Sequence, residues 1–460
     1  MQGRVFAKNK SEVDMSKGEI IPLLVNFALP LLLGNLFQQL YNTVDTWVVG
    51  NYVGNTSYSA VGTLNPIINT LIGFFTGFSN GACVIIARHF GAGNKEKVQQ
   101  AVHTFVTVTL ILCAFFTFLG VFLTPMLLDL IKSPQEVRVE QEIYLTIYFE
   151  GVSGLLLYNM GSAILRAVGN SVVPFLFLVV SAVINIILDL VLVICFDMGT
   201  AGVAYATIFA QMVSALMAIV LLLKAKSSVR VHIRKLRIDF SMLRGIFIVG
   251  LPAGIQMSIT SFSNIFVQSY INFFGADCMG GWTTYSKVDH LIQLPRQALA
   301  LSLQTFVSQN LGKKQNDRAR KGVRIALLLA FACTAFLIIL IVAFAPNIVR
   351  FFIKDVDSQI IYYGNLFLRL ITPFYMFTCI NQIYAGALRG AGKSRIPMVI
   401  MLGCYVVFRQ IYLFVVSNFI SNTVIPISLS YPIAWMLCSL LMTIFYFRAF
   451  SDTQLNKTNL

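Results

Sequence analysis

Charge is what this sequence has least of. Only 12% of its 460 residues are Asp, Glu, Lys or Arg, about half of what soluble domains carry. Carboxylates are the scarcer sign, 19 against 34 Lys and Arg. A water-facing surface cannot be built from so few charges. With 57% hydrophobic residues and a mean hydropathy of +0.77, the chain is read as one solvated by a bilayer. Metal-ligand spacing is also missing. The eight cysteines form no CxxC pair and read as small apolar packing, and the four histidines (89, 103, 232, 290) follow no ligand pattern. Gly77-Phe-Ser79-Asn-Gly81 fits the GxSxG nucleophile pattern, but it lies in an apolar span without Asp or His partners, so it reads as coincidence. The expectation is no enzyme and no cofactor. Asn55-Thr-Ser matches a glycosylation acceptor, a pattern short enough to arise by chance. Met1–Gly18 is polar, lacks a small-residue cleavage site and precedes a full-length span, so no cleavable leader is expected.

What the chain does have is apolar runs, twelve of them between residues 20 and 449. Each is long enough for a helix to cross a bilayer, which takes about 20 residues. An even number puts both termini on one side. With the N-terminus inside, 26 of the 34 basic residues fall in cytoplasmic segments. Four (Lys132, Arg138, Arg350, Lys354) fall outside, and four (Lys287, Arg296, Arg369, Arg409) lie within spans. This bias is the positive-inside pattern, so both termini are expected in the cytoplasm and the chain in the cell membrane. It also accounts for the net charge of +15 without nucleic acid.

The chain is written twice. Residues 159–174, NMGSAILRAVGNSVVP, align without gaps on 382–397, QIYAGALRGAGKSRIP, at an offset of 223. LP at 29–30 returns at 251–252, and FGAGNKEK (90–97) returns as LGKKQNDR (311–318). Two six-span halves of equal orientation imply a pseudo-two-fold axis along the membrane normal, an architecture associated with transporters. The expected units are an N-lobe over 1–224, a basic linker over 225–243 and a C-lobe over 244–460.

A carboxylate inside a span costs about 2.5–3.5 kcal/mol on insertion scales, so it faces a cavity or a partner. The stretch SAVINIILDLVLVICF (181–196) places Asn185 and Asp189 one turn apart on one helix face, as Tyr41 and Asp45 are in span one. At about 1.5 Å per residue, Asp45, Asp189 and Thr207 fall at one depth, roughly 8–10 Å below the outer surface. Two carboxylates, an amide and a hydroxyl at one level can hold a hard cation, or the two acids can share a proton. Asp289 and Lys287, with Arg296 and Arg409, read as a structural ion pair or a second relay, and Glu150 is a weaker candidate for the cavity wall.

LPLLLGNLFQQLYNTVDTWVVGNYVG (29–54), the NIILD pentapeptide and the paired LRxxGxSxxP segments resemble the multidrug and toxic compound extrusion (MATE) family, closest to its DinF-like branch, over essentially the whole chain. The resemblance implies a cation or proton site at Asp45, Asn185, Asp189 and Thr207, with Na+ as the candidate metal ion. It implies substrate-cavity positions at Tyr41, Tyr144 and Asn159, and a bend in the first helix at Pro30. The NorM-like branch carries acids on helices seven and ten, whereas residues 246–275 and 360–388 here contain none. The repeat mates of Asn185 and Asp189 are Phe408 and Tyr412.

The expected fold is therefore an all-α polytopic membrane protein of twelve transmembrane helices in two six-helix lobes. The expected activity is multidrug efflux by secondary active antiport, with Na+ or H+ as coupling ion and alternating access between the lobes. Its substrates would be small, amphipathic and cationic, its surroundings membrane lipid, and its state monomeric. The alternative is a lipid-linked saccharide flippase, which needs a strongly basic cavity.

Overall fold

The computed structural model describes residues 12–130, 133–352 and 359–450. Lys132, Lys354 and the two ends of the expected lobes lie outside these residues, as do the side chains of Asn55 and Thr56 in the glycosylation pattern. Among the described residues the chain forms twelve long helical segments and no strand. They are α1 (Ile20–Val53), α2 (Asn55–Gly91), α3 (Lys95–Leu130), α4 (135–167), α5 (Val172–Cys195) and α6 (Gly199–Lys224), followed by α7 (Phe240–Asn272), α8 (Ala276–Gly312), α9 (Asn316–Phe352), α10 (Gln359–Gly390), α11 (Arg395–Ile420) and α12 (Val424–Ala449). Ten of them are long and apolar enough to span a membrane on composition alone. The other two, α4 and α8, carry the charges that lower their hydropathy: Arg138, Glu140 and Glu142 in α4, and Lys287, Asp289 and Arg296 in α8.

Sequence and structure differ at several edges. Helices α3 and α9 run well past the apolar stretches 101–125 and 325–346, so their polar ends project beyond a bilayer's thickness. Helix α7 starts at Phe240, inside the expected linker, because Asp239 caps it by accepting from Ser241 N at 2.9 Å and Met242 N at 3.1 Å. Helix α4 breaks at Gly151 into Gln135–Glu150 and Val152–Ala167.

The repeat is visible in the backbone. Gly169 and Gly392, which end α4 and α10, have φ of +83° and +78° at the sequence offset of 223. Gly54 and Gly275, which start α2 and α8, also share positive φ. Left-handed residues at matching helix ends turn the chain the same way in both halves. Proline matches too: Pro30 and Pro252 lie inside α1 and α7, and Pro125 and Pro346 inside α3 and α9.

Helices α1–α6 and α7–α12 form two lobes that meet along α2 and α7, with α8 against α1 and α2. In the α2–α7 seam, glycines let the two backbones touch between packed side chains such as Phe78 and Phe247, whose rings lie 5.4 Å apart. A Cβ on Gly77 would lie 2.4 Å from Gly254 N, and one on Gly81 would lie 2.2 Å from Gly250 Cα. The GxSxG pattern is thus a packing device, with its two glycines set one helical turn apart to admit a neighbouring backbone. At the end carrying the linker the lobes are sealed. Gly91 and Gly312 press against the carbonyls of Gln309 and Arg88, where an added Cβ would come within 2.0 Å. From this floor a cavity of about 1030 Å³ extends toward the opposite end, reaching Gly50 and Asn51.

Candidate functional site

Helix α1 brings Asp45 to the N-lobe wall, α5 brings Asn185 and Asp189, and α6 brings Thr207. The two acid-bearing helices are both irregular beside their acid. Regular α1 ends at Val48 and widens into a π-turn over Val49–Val53, and α5 does the same over Val191–Cys195. Such turns free backbone carbonyls from regular pairing and recur at functional sites. In α1, Pro30 removes one amide donor fifteen residues before Asp45.

Two of the four side chains meet, and Asn185 stands one turn before Asp189 on α5. The carboxyls of Asp45 and Asp189 face each other at interacting range. Asp189 is fully buried, with Asn185 at 2% exposure and Thr207 at 7%. Asp45 Oδ1, both oxygens of Asp189, both polar atoms of Asn185 and Thr207 Oγ1 are buried without a protein hydrogen-bond partner. More than 90% of buried polar groups in proteins are paired, and each orphan costs about 1–3 kcal/mol. Five such oxygens on three neighbouring helices offer donors of the kind a hard cation takes, or two carboxyls placed to share a proton. Among the described residues no group of three or more His, Cys, Asp or Glu could hold a metal ion.

Asp45 and Thr207 also line the large cavity, whereas Asn185 and Asp189 lie behind them. Tyr41, Tyr144 and Asn159 line the same cavity. Tyr144 stacks on Tyr148 at 6.5 Å, and Asn159 Nδ2 donates to Leu155 O at 2.9 Å. The repeat-related place in the C-lobe is aromatic: Phe408 and Tyr412 pack with centroids 6.5 Å apart, and Tyr412 Oη donates to Pro426 O at 3.0 Å.

Two weaker candidates are corrected. Glu150 is exposed and absent from the cavity wall, because the break at Gly151 ends its helical segment there. Asp289 shares no hydrogen bond with Arg409, and the ion pairs found among the described residues do not include it. It accepts from Tyr375 Oη at 2.6 Å and Gln293 Nε2 at 2.5 Å, and the Arg296 guanidinium lies over the Tyr375 ring at 4.9 Å. Arg409 belongs to a separate group, donating to Ser263 Oγ at 3.1 Å and Asn264 Oδ1 at 2.9 Å above Tyr431. Lys287 lines the cavity.

Sequence reasoning missed Arg166 and Arg389. Counted as loop cations, they sit inside the last turns of α4 and α10 and line the cavity floor. Their equal place in the LRxxGxSxxP repeats was the available signal.

A family model described as MatE matches residues 30–191 and 252–415, one segment in each lobe. The chain is 28% identical over 438 residues to the probable multidrug resistance protein YoeA of Bacillus subtilis, covering 94% of each chain. It is 26% identical over 404 residues to the probable multidrug resistance protein NorM of Thermotoga maritima, covering 85% of this chain and 83% of that one. Among solved structures it resembles an outward-facing multidrug resistance transporter of the MOP superfamily, with a TM-score of 0.90 at 21% identity over 98% of this chain and 100% of the other.

Proposed function

The chain belongs to the MATE family, whose members are membrane transporters and not enzymes, and from that premise we propose that it exports small amphipathic compounds by ion-coupled alternating access. The observation that carries this reading is the cluster of Asp45, Asn185, Asp189 and Thr207, whose unpaired buried oxygens adjoin a cavity large enough for a drug-sized molecule. A cation or proton entering there compensates two carboxyls that the bilayer makes costly to leave ionised. Binding it favours one arrangement of the lobes, and substrate favours the other. The moving bodies are 1–224 and 244–460, joined by 225–243, in a monomer in the cell membrane with both termini cytoplasmic. In that orientation the sealed floor faces inward and the cavity outward. The tyrosines and Asp45 in the N-lobe wall suit the apolar and cationic parts of a substrate.

The test is dye movement from proteoliposomes of the purified chain, with Na+ and proton gradients imposed separately. Efflux driven by one gradient supports antiport and names the ion. Dye movement indifferent to both gradients sinks it, and lipid translocation in the same vesicles would favour the flippase.

A further inference from the structure

The cavity wall is unequally charged. Of the residues lining it, Asp45 is the one carboxyl, whereas Arg166, Lys287 and Arg389 are cations. They are also separated in depth. Asp45 stands near the π-turn of α1 at the open end, and Arg166 and Arg389 stand at the floor, in the last turns of α4 and α10. The two arginines are repeat mates, so each lobe contributes one.

Among the described residues neither arginine is paired with a carboxylate. Arg166 donates to Ser162 Oγ at 3.1 Å and Asn80 Oδ1 at 3.2 Å, and Arg389 donates to Gln256 Oε1 at 2.5 Å. These acceptors carry no charge. The ion pairs among the described residues involve other side chains, and Arg389 Nε is buried without a partner. Each guanidinium has five N–H donors in a planar fork, the geometry that matches carboxylate and phosphate oxygens. Two uncompensated guanidinium groups within the span of the membrane are costly, and an anionic ligand removes the cost.

We propose that the cavity floor is an anion subsite in which Arg166 and Arg389, one from each lobe, bind the carboxylate or phosphate group of an amphipathic substrate. The apolar body of such a substrate lies along Ile72, Leu155 and Met257 toward the open end. Because the two arginines belong to different lobes, one anion held by both ties the lobes together at the sealed floor. The substrate class thereby includes organic anions as well as cations. This rests on the efflux reading for the route of the substrate, but binding at the floor is measurable without any ion gradient.

The experiment uses the full chain in nanodiscs and two forms of one fluorescent dye, a free carboxylic acid and its methyl ester, titrated at neutral pH. The ratio of the two dissociation constants is the readout, so a general loss of folding cancels. The wild-type chain binds the acid about tenfold more tightly than the ester, the value of one charge-assisted hydrogen-bonded pair. The R166Q/R389Q double variant brings the ratio to about one, and R166K/R389K keeps a preference for the acid. If the double variant binds neither dye, the single variants R166Q and R389Q are read by the same ratio, which each should lower. Equal binding of acid and ester by the wild type overturns the proposal, as does an undiminished preference in the glutamine variants. Failure of gradient-driven efflux with this ratio intact would count against the coupling reading alone.

Discussion

Met15 and Gln309 lie 294 positions apart and are joined at 2.8 Å, the amide of Met15 donating to Gln309 Oε1. The other end of the same side chain, Nε2, donates to Ala167 O at 2.9 Å. One glutamine of α8 thus holds the strap over residues 12–18 and the end of α4, which also receives Val13 N at Val168 O. Truncating it leaves buried partners unsatisfied, a cost of about 1–3 kcal/mol. Gln309→Ala should therefore loosen the floor, read as hydrogen exchange of the Met15 amide at least about tenfold faster. Unchanged protection would show that the strap is held by other contacts.

The strap also carries a pH dependence. Burial alone would raise the pKa of Asp14, but hydrogen bonds from Ser16 N and Oγ, with Lys313 and Lys17 nearby, outweigh it and hold the carboxyl below its ordinary 3.8. A depressed folded value stabilises the strap above the unfolded pKa, and that contribution disappears as pH falls through the folded one. Spin-label distances between strap and α8 should stay constant from neutral pH down to about 5 and broaden below about 4. Asp14→Asn should remove this contribution at every pH.

Asp189→Asn and Asp45→Asn keep side-chain shape and remove charge. Each should abolish gradient-driven efflux in proteoliposomes while leaving expression intact, a loss of about 100-fold or more if ion binding is obligatory. Tyr412→Phe, at the repeat-related position, should leave coupling within about twofold, since its hydroxyl bonds the Pro426 carbonyl of α12. Normal coupling in Asp189→Asn would reduce the cluster to a structural one.

At the seam, Gly81→Ala puts a methyl group into the backbone of Gly250. Overpacking of this kind costs about 1–3 kcal/mol, so thermal unfolding in detergent should begin several degrees lower. Gly62→Ala in the same helix meets nothing within 4 Å and should be neutral or slightly stabilising. Equal stability of the two variants would mean that the seam relaxes without cost.

Pro30→Ala restores an amide donor to α1. The variant should insert and bind the coupling ion, yet transport several-fold more slowly because the bend beneath Asp45 is harder to make. Full activity would show the bend to be incidental.

The twelve spans and the two-fold repeat were legible because hydrophobic runs and repeated Gly, Arg and Pro positions are written directly into the chain. The N-lobe acids stood out because an acid within an apolar run has few uses, and helical rise puts Asp45 and Asp189 at one depth. Arg166 and Arg389 were not, because a cation near a span's end reads as loop until the helix is seen to continue past it. Asp289 was misread for the opposite reason. Its charge drew attention to Lys287 and Arg409, while the tyrosine and glutamine that hold it are indistinguishable in sequence from ordinary packing. Gly77 and Gly81 fitted an enzyme pattern, and only the facing backbone of α7 reveals what they are for.

That glycine seam has a mechanical consequence. Between Thr70 and Ile85 of α2, contacts with α7 run over about 22 Å of helix, and around Gly77 and Gly81 they are backbone against backbone. At Gly77, Gly81, Gly250 and Gly254 there is no side chain to lift out of a hole, while Phe74, Phe78 and Ile85 pack beside them against α7. On the opposite flank α1 and α8 are joined near the floor, where Ser302 Oγ donates to Leu24 O at 2.9 Å. The alternating access proposed above would turn about the α2–α7 spine, whose glycines let the two backbones approach where larger residues would lock them.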